Sequence, residues 1–171
     1  MTDAVVLRYA TIDDLPVIVD IYNSTIPSRM VTADTQPVTV RDRLDWFRAH
    51  DPERRPLWIA ELGGAICGWA GLQDFFYRRP AYHATAEVSL YLHEDYRGRG
   101  LGKQIMAKVM AECPRLGVDT LLAFIFGHNE PSLRLFSGLG FEKWAHLPGV
   151  AELDGVKRDL VILGRTVNID H

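Results

Sequence analysis

The chain has 171 residues, 47% of them hydrophobic and 24% charged, with a formal net charge of −3. Such a chain is long enough to bury one real core, and its mild acidity argues against a general nucleic-acid binder, which needs a basic field to neutralise phosphates. Two cysteines, Cys67 and Cys113, make no disulfide scaffold or zinc-type spacing, Met1-Thr2-Asp3-Ala4 opens no leader pattern, and no apolar run approaches a membrane span, so the expectation is a cytoplasmic protein with no metal and no membrane partner.

In chain order, Val5 to Tyr9 reads as a strand. Thr11 starts a helix with Asp14 in the capping-box position, and Leu15, Ile18 and Tyr22 share one of its faces. The polar stretch from Ser24 to Pro37 reads as a long loop. Thr39 caps a second helix with Val40, Leu44 and Phe47 on one side. Leu57 to Leu62 and Ala65 to Leu72 flank Gly63-Gly64, a hairpin signal, and Ala84 to Leu92 is a third strand of this block.

A glycine-rich segment, Arg97 to Gly102, then leads into a helix with Met106, Val109, Met110 and Cys113 inward. Thr120 to Phe126 is a nearly unbroken apolar run, as expected of a strand buried on both faces. Asn129 and Pro131 open another helix, with Leu133, Phe136 and Leu139 buried and Gly140 at its end. Phe141 to Leu147 and Lys157 to Arg165 read as two closing strands joined by a loop containing Asp154-Gly155. No repeat or linker divides the chain, which predicts a single domain over residues 1–171. The fold class is α/β (α+β): a mixed, mostly antiparallel sheet flanked by helices on both faces, with a parallel crossover between residues 84 and 126.

Arg97-Gly98-Arg99-Gly100-Leu101-Gly102-Lys103 carries the strongest chemical signal. It follows a strand and opens a helix, whose first N–H groups have no intrahelical partner and carry partial positive charge. Glycines let a phosphate approach those N–H groups, and Arg97, Arg99 and Lys103 add charge at the rim. The physical reading is a pyrophosphate site, set against the plain alternative of a solvated glycine turn. The segment lacks the Lys-Ser/Thr ending of a nucleotide-triphosphate loop and the dinucleotide pattern G-x-G-x-x-G.

Arg97-Gly98-Arg99-Gly100-Leu101-Gly102 resembles the R-x-x-G-x-G/A signature of the GNAT acetyltransferase superfamily. Asn129-Glu130-Pro131-Ser132 followed by Leu139-Gly140-Phe141 is similar to the family's second block, and the strand order matches over nearly the whole chain. The resemblance implies acetyl-CoA as acyl donor, bound by residues 97–103 with Asn129 and Ser132. It also implies that backbone N–H groups at Leu90, Tyr91 and Leu92 face the thioester, and a homodimer, for which the strand ends near Trp144 and Val161 are candidates. Ala81-Tyr82-His83-Ala84-Thr85-Ala86-Glu87-Val88-Ser89-Leu90-Tyr91, together with Tyr22-Asn23, resembles the phosphinothricin and methionine sulfoximine acetyltransferase branch.

Strand alternation puts Thr85, Glu87, Ser89 and Tyr91 on one face and Ala86, Val88, Leu90 and Leu92 on the other. A carboxylate within such a strand is costly unless paired, so Glu87 is the candidate general base, with a structural ion pair to an arginine such as Arg79 as the competing reading. An amine arrives as an ammonium ion and must lose a proton before it attacks a thioester. A ping-pong route through Cys67 or Cys113 is the competing mechanism. The resemblance places a general acid where this chain has Phe136, which cannot donate a proton; the acid is then unassigned, with His128 and Tyr91 as candidates whose plainer reading is structural, and a good thiolate leaving group needs no dedicated acid.

Phe75-Phe76-Tyr77-Arg78-Arg79-Pro80-Ala81-Tyr82 is dense in aromatics and arginine. It predicts an acceptor site in which Arg78 or Arg79 holds a carboxylate and Phe75, Tyr77 and Tyr82 wall off water, with Ser28, Arg29 and Thr32 at its border. The alternative for this loop is a surface or dimer contact. Three functions stay open at this level: an N-acetyltransferase for a small amino-acid-like amine, one for a polyamine, drug or protein N-terminus, and an acyl-CoA-binding protein without turnover.

Overall fold

The computed structural model describes residues 4–167; Met1 to Asp3, part of the opening segment inspected above, and residues 168–171 lie outside it. Seven strands form one sheet: β1 (Val6–Tyr9), β2 (Leu57–Leu62), β3 (Ala65–Asp74), β4 (Thr85–Leu92), β5 (Thr120–Phe126), β6 (Glu142–Leu153) and β7 (Val156–Thr166). Their spatial order is β1-β2-β3-β4-β5-β7-β6. The pair β4–β5 is parallel and every other neighbouring pair is antiparallel. Four helices accompany the sheet: α1 (Leu15–Ser24), α2 (Leu44–Arg48), α3 (Leu101–Glu112) and α4 (Glu130–Gly138). None of the described helices is long and apolar enough to cross a membrane.

Period-two alternation divides the core between the two faces of the sheet. One cluster joins Trp58, Ala60, Ala86 and Val88 to Ile105, Met106 and Val109 of α3 and Phe136 of α4. The other joins Ile59, Trp69 and Tyr91 to Ile18, Ile21 and Tyr22 of α1. Leu15, Ile18 and Tyr22 are buried as their helical spacing predicts, and Thr11 and Asp14 form the reciprocal capping box. Arg8 anchors the same corner by donating from both terminal nitrogens to Asp14, each at 2.8 Å.

Two expectations need correction. Val40 is exposed and precedes α2 instead of packing with Leu44 and Phe47; Trp46 packs toward the core with Phe47 in its place. Residues 148–153, read as loop, continue β6, and the connection to β7 is the two-residue turn Asp154-Gly155 (φ 52° and 79°). Pro148 and Gly149 hide that strand in the sequence. Because β6 is the outermost strand, a proline there removes no interior ladder bond, and the irregularity between Leu147 and Ala151 absorbs the mismatch. Asp159 pins the irregular stretch, accepting from Gly149 N at 2.8 Å and pairing with His146 Nε2 at 2.7 Å. Val161 lies in the core, whereas Trp144 is half exposed on the edge strand, so only the latter is open to a second copy.

Candidate active site

The register of β4 and β5 creates the cleft. They pair at Thr85↔Thr120, Ala86↔Leu121 and Glu87↔Leu122, and there the ladder stops. On its other edge β4 stays paired with β3 as far as Leu92↔Gly68. From Val88 to Leu92 the β4 backbone therefore presents polar groups toward β5 that no strand answers, and the two strands open a gap.

Two cavities occupy that gap and share Val31, Leu90, Tyr91, Asn129, Ser132 and Phe136 in their walls. The first, of about 490 Å³, runs from Leu90, Tyr91 and Leu92 to the Arg97–Lys103 turn and the start of α4. The second, of about 450 Å³, is bounded by Glu87 to Tyr91, by Ala123 to Phe126, and by Val150 and Ala151 of β6. Together they form one groove from the glycine turn to Glu87.

At the turn, Gly98 and Gly100 both have φ of 75°, a left-handed conformation that suits glycine. Gly100 caps α3 with no side chain over the helix N-terminus, and space beyond its Cα is open. Gly102 packs closely enough that a Cβ would lie 3.1 Å from Leu135, which holds α3 against α4. Lys103 is exposed, and Arg99 lies over the Tyr96 ring at 5.3 Å. Arg97 turns back to donate to the Leu92 carbonyl at 3.2 and 3.3 Å, so it fastens the turn to the strand as well as lending charge. Asn129 caps α4, its side-chain oxygen accepting from Ser132 N at 3.3 Å, and both residues line the groove.

Glu87 has no hydrogen-bond or ion-pair partner among the described residues, and Arg79 is exposed, so the ion-pair reading is not what the structure shows. Burial alone pushes its carboxyl above the ordinary value of 4.5. Tyr91 is stacked on Trp69 with ring centroids 4.6 Å apart, and burial raises its phenol strongly. Phe136 packs edge-on against Phe141 and walls both cavities. His128 Nε2 donates to the Arg29 carbonyl at 2.8 Å, and its ring lies on Phe126 outside both cavities, so it ties a loop down. Cys67 and Cys113 are fully buried; burial raises both thiols, that of Cys113 to about 12.

The segment between α1 and α2 supplies a further wall, which includes the Ser28 and Thr32 named from the sequence as border residues. Val31, Thr32 and Ala33 face the cavity beside Glu87, and Thr25, Ser28 and Met30 the one beside the turn. Tyr22 holds the middle of this loop through hydrogen bonds to Thr32 and Asp34. Asn23 holds its end, donating to the Val38 carbonyl at 2.8 Å and accepting from Val38 N at 2.9 Å. Arg29 pairs with Asp154 at 2.9 Å and lines neither cavity.

The aromatic–arginine loop falls elsewhere. Phe75, Tyr77, Arg78, Arg79 and Tyr82 line neither cavity of the groove. Phe76, Tyr77 and Arg78 adopt φ of 53°, 61° and 59°, which leaves Tyr77 92% exposed. Arg55 anchors the base of this loop, donating to the His83 carbonyl at 2.8 Å. Besides Arg97 at the turn, Arg43 lines a cavity against β4, a smaller space walled by Trp46, Trp69, Ser89 and Tyr91.

Comparison with known proteins identifies the family. Residues 18–141 match the Acetyltransferase (GNAT) family. The Bacillus subtilis (strain 168) protein named "Putative phosphinothricin acetyltransferase YwnH" is 52% identical over 95% of this chain and 99% of its own length. An L-methionine sulfoximine/L-methionine sulfone acetyltransferase of Pseudomonas paraeruginosa (strain DSM 24068 / PA7) is 30% identical, covering 96% of this chain and 94% of that protein. The solved structure of a GNAT superfamily phosphinothricin acetyltransferase from Sinorhizobium meliloti in complex with AcCoA superposes with a TM-score of 0.88, at 28% identity over 98% of this chain and 90% of that one. The chain belongs to the GNAT acetyltransferase family. The chain is an N-acetyltransferase, and acetyl-CoA is the donor that its relatives bind.

Proposed function

We propose that this enzyme transfers the acetyl group of acetyl-CoA directly to the primary amine of a small amino-acid-like acceptor, of the phosphinothricin or methionine sulfoximine type. The observation that carries the reading is Glu87: a half-buried carboxylate with no partner among the described residues, facing the gap where the β4–β5 ladder ends. In this reading the open amides of Leu101, Gly102 and Lys103 hold the pyrophosphate, helped by Arg97 and Arg99. The pantetheine arm follows Leu90 to Leu92 past Asn129 and Ser132. The thioester then lies in the gap, where β4 backbone N–H groups stabilise the developing oxyanion.

Glu87 accepts a proton from the acceptor's ammonium group, the amine attacks the thioester carbon, and the tetrahedral intermediate collapses with departure of the CoA thiolate, while the second proton of the attacking nitrogen passes to that thiolate through water. Its raised pKa makes Glu87 a stronger base than a free carboxylate, whose ordinary value is 4.5. A thiol of pKa near ~8.5 leaves readily as thiolate, so Phe136 in place of an acid does not stop the reaction. The buried, high-pKa cysteines argue against a covalent acetyl-cysteine. The names of the relatives support the acceptor class.

Release of free CoA thiol with phosphinothricin, L-methionine sulfoximine and a polyamine tests the reading. Turnover with either amino acid supports it. Turnover with the polyamine alone moves the enzyme to another acceptor class, and binding of acetyl-CoA with no turnover makes it a sensor.

A further inference from the structure

The segment from Thr25 to Val38 crosses the site as a strap. It leaves α1, which packs on Ile59, Trp69 and Tyr91 of β2, β3 and β4. Tyr22 and Asn23 of that helix hold Thr32, Asp34 and Val38, so these fastenings keep the strap with the β4 half of the sheet. Among the described residues, the hydrogen bonds and ion pairs that tie the strap to the β5 half belong to one residue, Arg29. Its carbonyl accepts from His128 Nε2 at 2.8 Å, on the link between β5 and α4, and its Nε donates to Asp154 at 2.9 Å, on the turn between β6 and β7. Met30 and Val31 lie between the two sets of fastenings and line the cavity that runs from Leu90 to the glycine turn.

Arg29 and His128 are both held at a cost. Arg29 has φ of 56°, a left-handed conformation that a residue with a Cβ keeps only where its surroundings over-determine it. His128 Nδ1 is buried with no partner among the described residues, and an unanswered buried nitrogen is unfavourable. Local packing does not ask for a histidine there. Its ring is stacked on Phe126 with centroids 5.6 Å apart, a contact that any aromatic ring would keep. The nitrogen that is answered, Nε2, is the one that holds the strap.

We infer that His128 and Asp154 are positioning residues of the donor site: through Arg29 they latch the strap across the β4–β5 gap and over the arm of acetyl-CoA, and the latch must open before CoA leaves. The inference rests on the course proposed above for the pantetheine arm. Neither residue lines a cavity of the groove, so their effect falls on how long donor and product stay bound. Each contact made only by the closed strap lowers the fraction of time the groove is open, and its loss raises that fraction by the factor the contact is worth.

The test is surface plasmon resonance of acetyl-CoA and CoA on immobilised wild type, His128→Phe, His128→Gln and Asp154→Asn, with thermal unfolding of each ligand-free protein. His128→Phe keeps the stack on Phe126, loses the donor and removes the unpaired Nδ1. Its unfolding temperature should stay near that of wild type while dissociation of both ligands quickens by about 3- to 10-fold, the scale of one neutral hydrogen bond. His128→Gln, whose amide donates at a similar reach, should restore most of the slow release. Asp154→Asn suits the φ of 52° at that turn and loses the charge. Because the Asp154 side chain is 65% exposed, dissociation should quicken only about 1.5- to 4-fold, and the difference should fade in high salt. This variant carries the test alone if His128→Phe does not fold. Unchanged dissociation in both His128→Phe and Asp154→Asn overturns the latch, as does a quickening that His128→Gln does not reverse or one matched by an equal loss of thermal stability. Wild type with no affinity for either ligand removes the donor site itself, and this inference with it.

Discussion

Glu87 faces Leu122 across the last rung of the parallel ladder between β4 and β5. One residue earlier, both backbone edges of β4 are paired; from Val88 onward one edge is free. The carboxylate therefore stands where the sheet changes from a closed wall to an open groove, and the free backbone edge and the unpaired acid arise from the same divergence of two strands.

Because burial raises the Glu87 pKa, the folded protein holds this proton more tightly than the unfolded chain does. Stability from this group is fully present below the unfolded value of 4.5 and is lost as pH rises through the higher folded value. Glu87→Gln removes that loss. Thermal unfolding followed across pH should show the variant gaining on wild type as pH rises above the unfolded value, with a constant difference at every pH contradicting the assignment.

Asp14 has the opposite sign. Its hydrogen bonds from Arg8 hold the carboxyl below its ordinary value of 3.8. The stabilisation is present above the unfolded pKa and disappears as pH falls through the folded one. Asp14→Asn should cost about 1–2 kcal/mol at neutral pH, discounted because the Arg8 side chain is 39% exposed, and the difference should shrink in acid. Chemical denaturation at neutral pH and well below the unfolded value measures both.

Gly100 at φ 75° caps α3 with open space above it. An added methyl meets no neighbour, so Gly100→Ala should cost only the left-handed strain of about 1–2 kcal/mol in stability. The same methyl stands in front of the helix N-terminus, and calorimetry should find affinity for CoA reduced by at least about tenfold. Full affinity in a folded variant would show that the phosphates bind elsewhere.

Much of this was legible because it is local. Gly63-Gly64, the apolar run 120–126 and the glycine turn each announce themselves within a few residues, and the alternation of β4 places Glu87 on the correct face. Tyr22-Asn23 could be noticed as a pattern, but its purpose, fixing the loop at Thr32, Asp34 and Val38, needs the chain folded back on itself. Arg43 precedes α2 whereas Trp69 and Gln73 share one face of β3, and no spacing rule joins the first to the other two. The Phe75–Tyr82 segment has a composition suited to a binding site or to a surface contact, and in the fold its Phe76, Tyr77 and Tyr82 are exposed and it lines neither cavity of the groove.

Cys67→Ala and Cys113→Ala together should leave kcat within about threefold of wild type if the protein stays folded, since neither thiol is accessible or ionised. Mass spectrometry of the wild-type enzyme with acetyl-CoA alone should detect no acetylated cysteine.

The most direct measurement is the pH dependence of kcat for wild type and Glu87→Gln, with L-methionine sulfoximine as acceptor and acetyl-CoA affinity recorded alongside. Wild type should lose activity in acid as Glu87 becomes protonated, while the variant is slower by about 100- to 10,000-fold at neutral pH, lacks that acidic limb and binds acetyl-CoA normally. A folded variant with the wild-type rate and the same acidic limb would contradict the account.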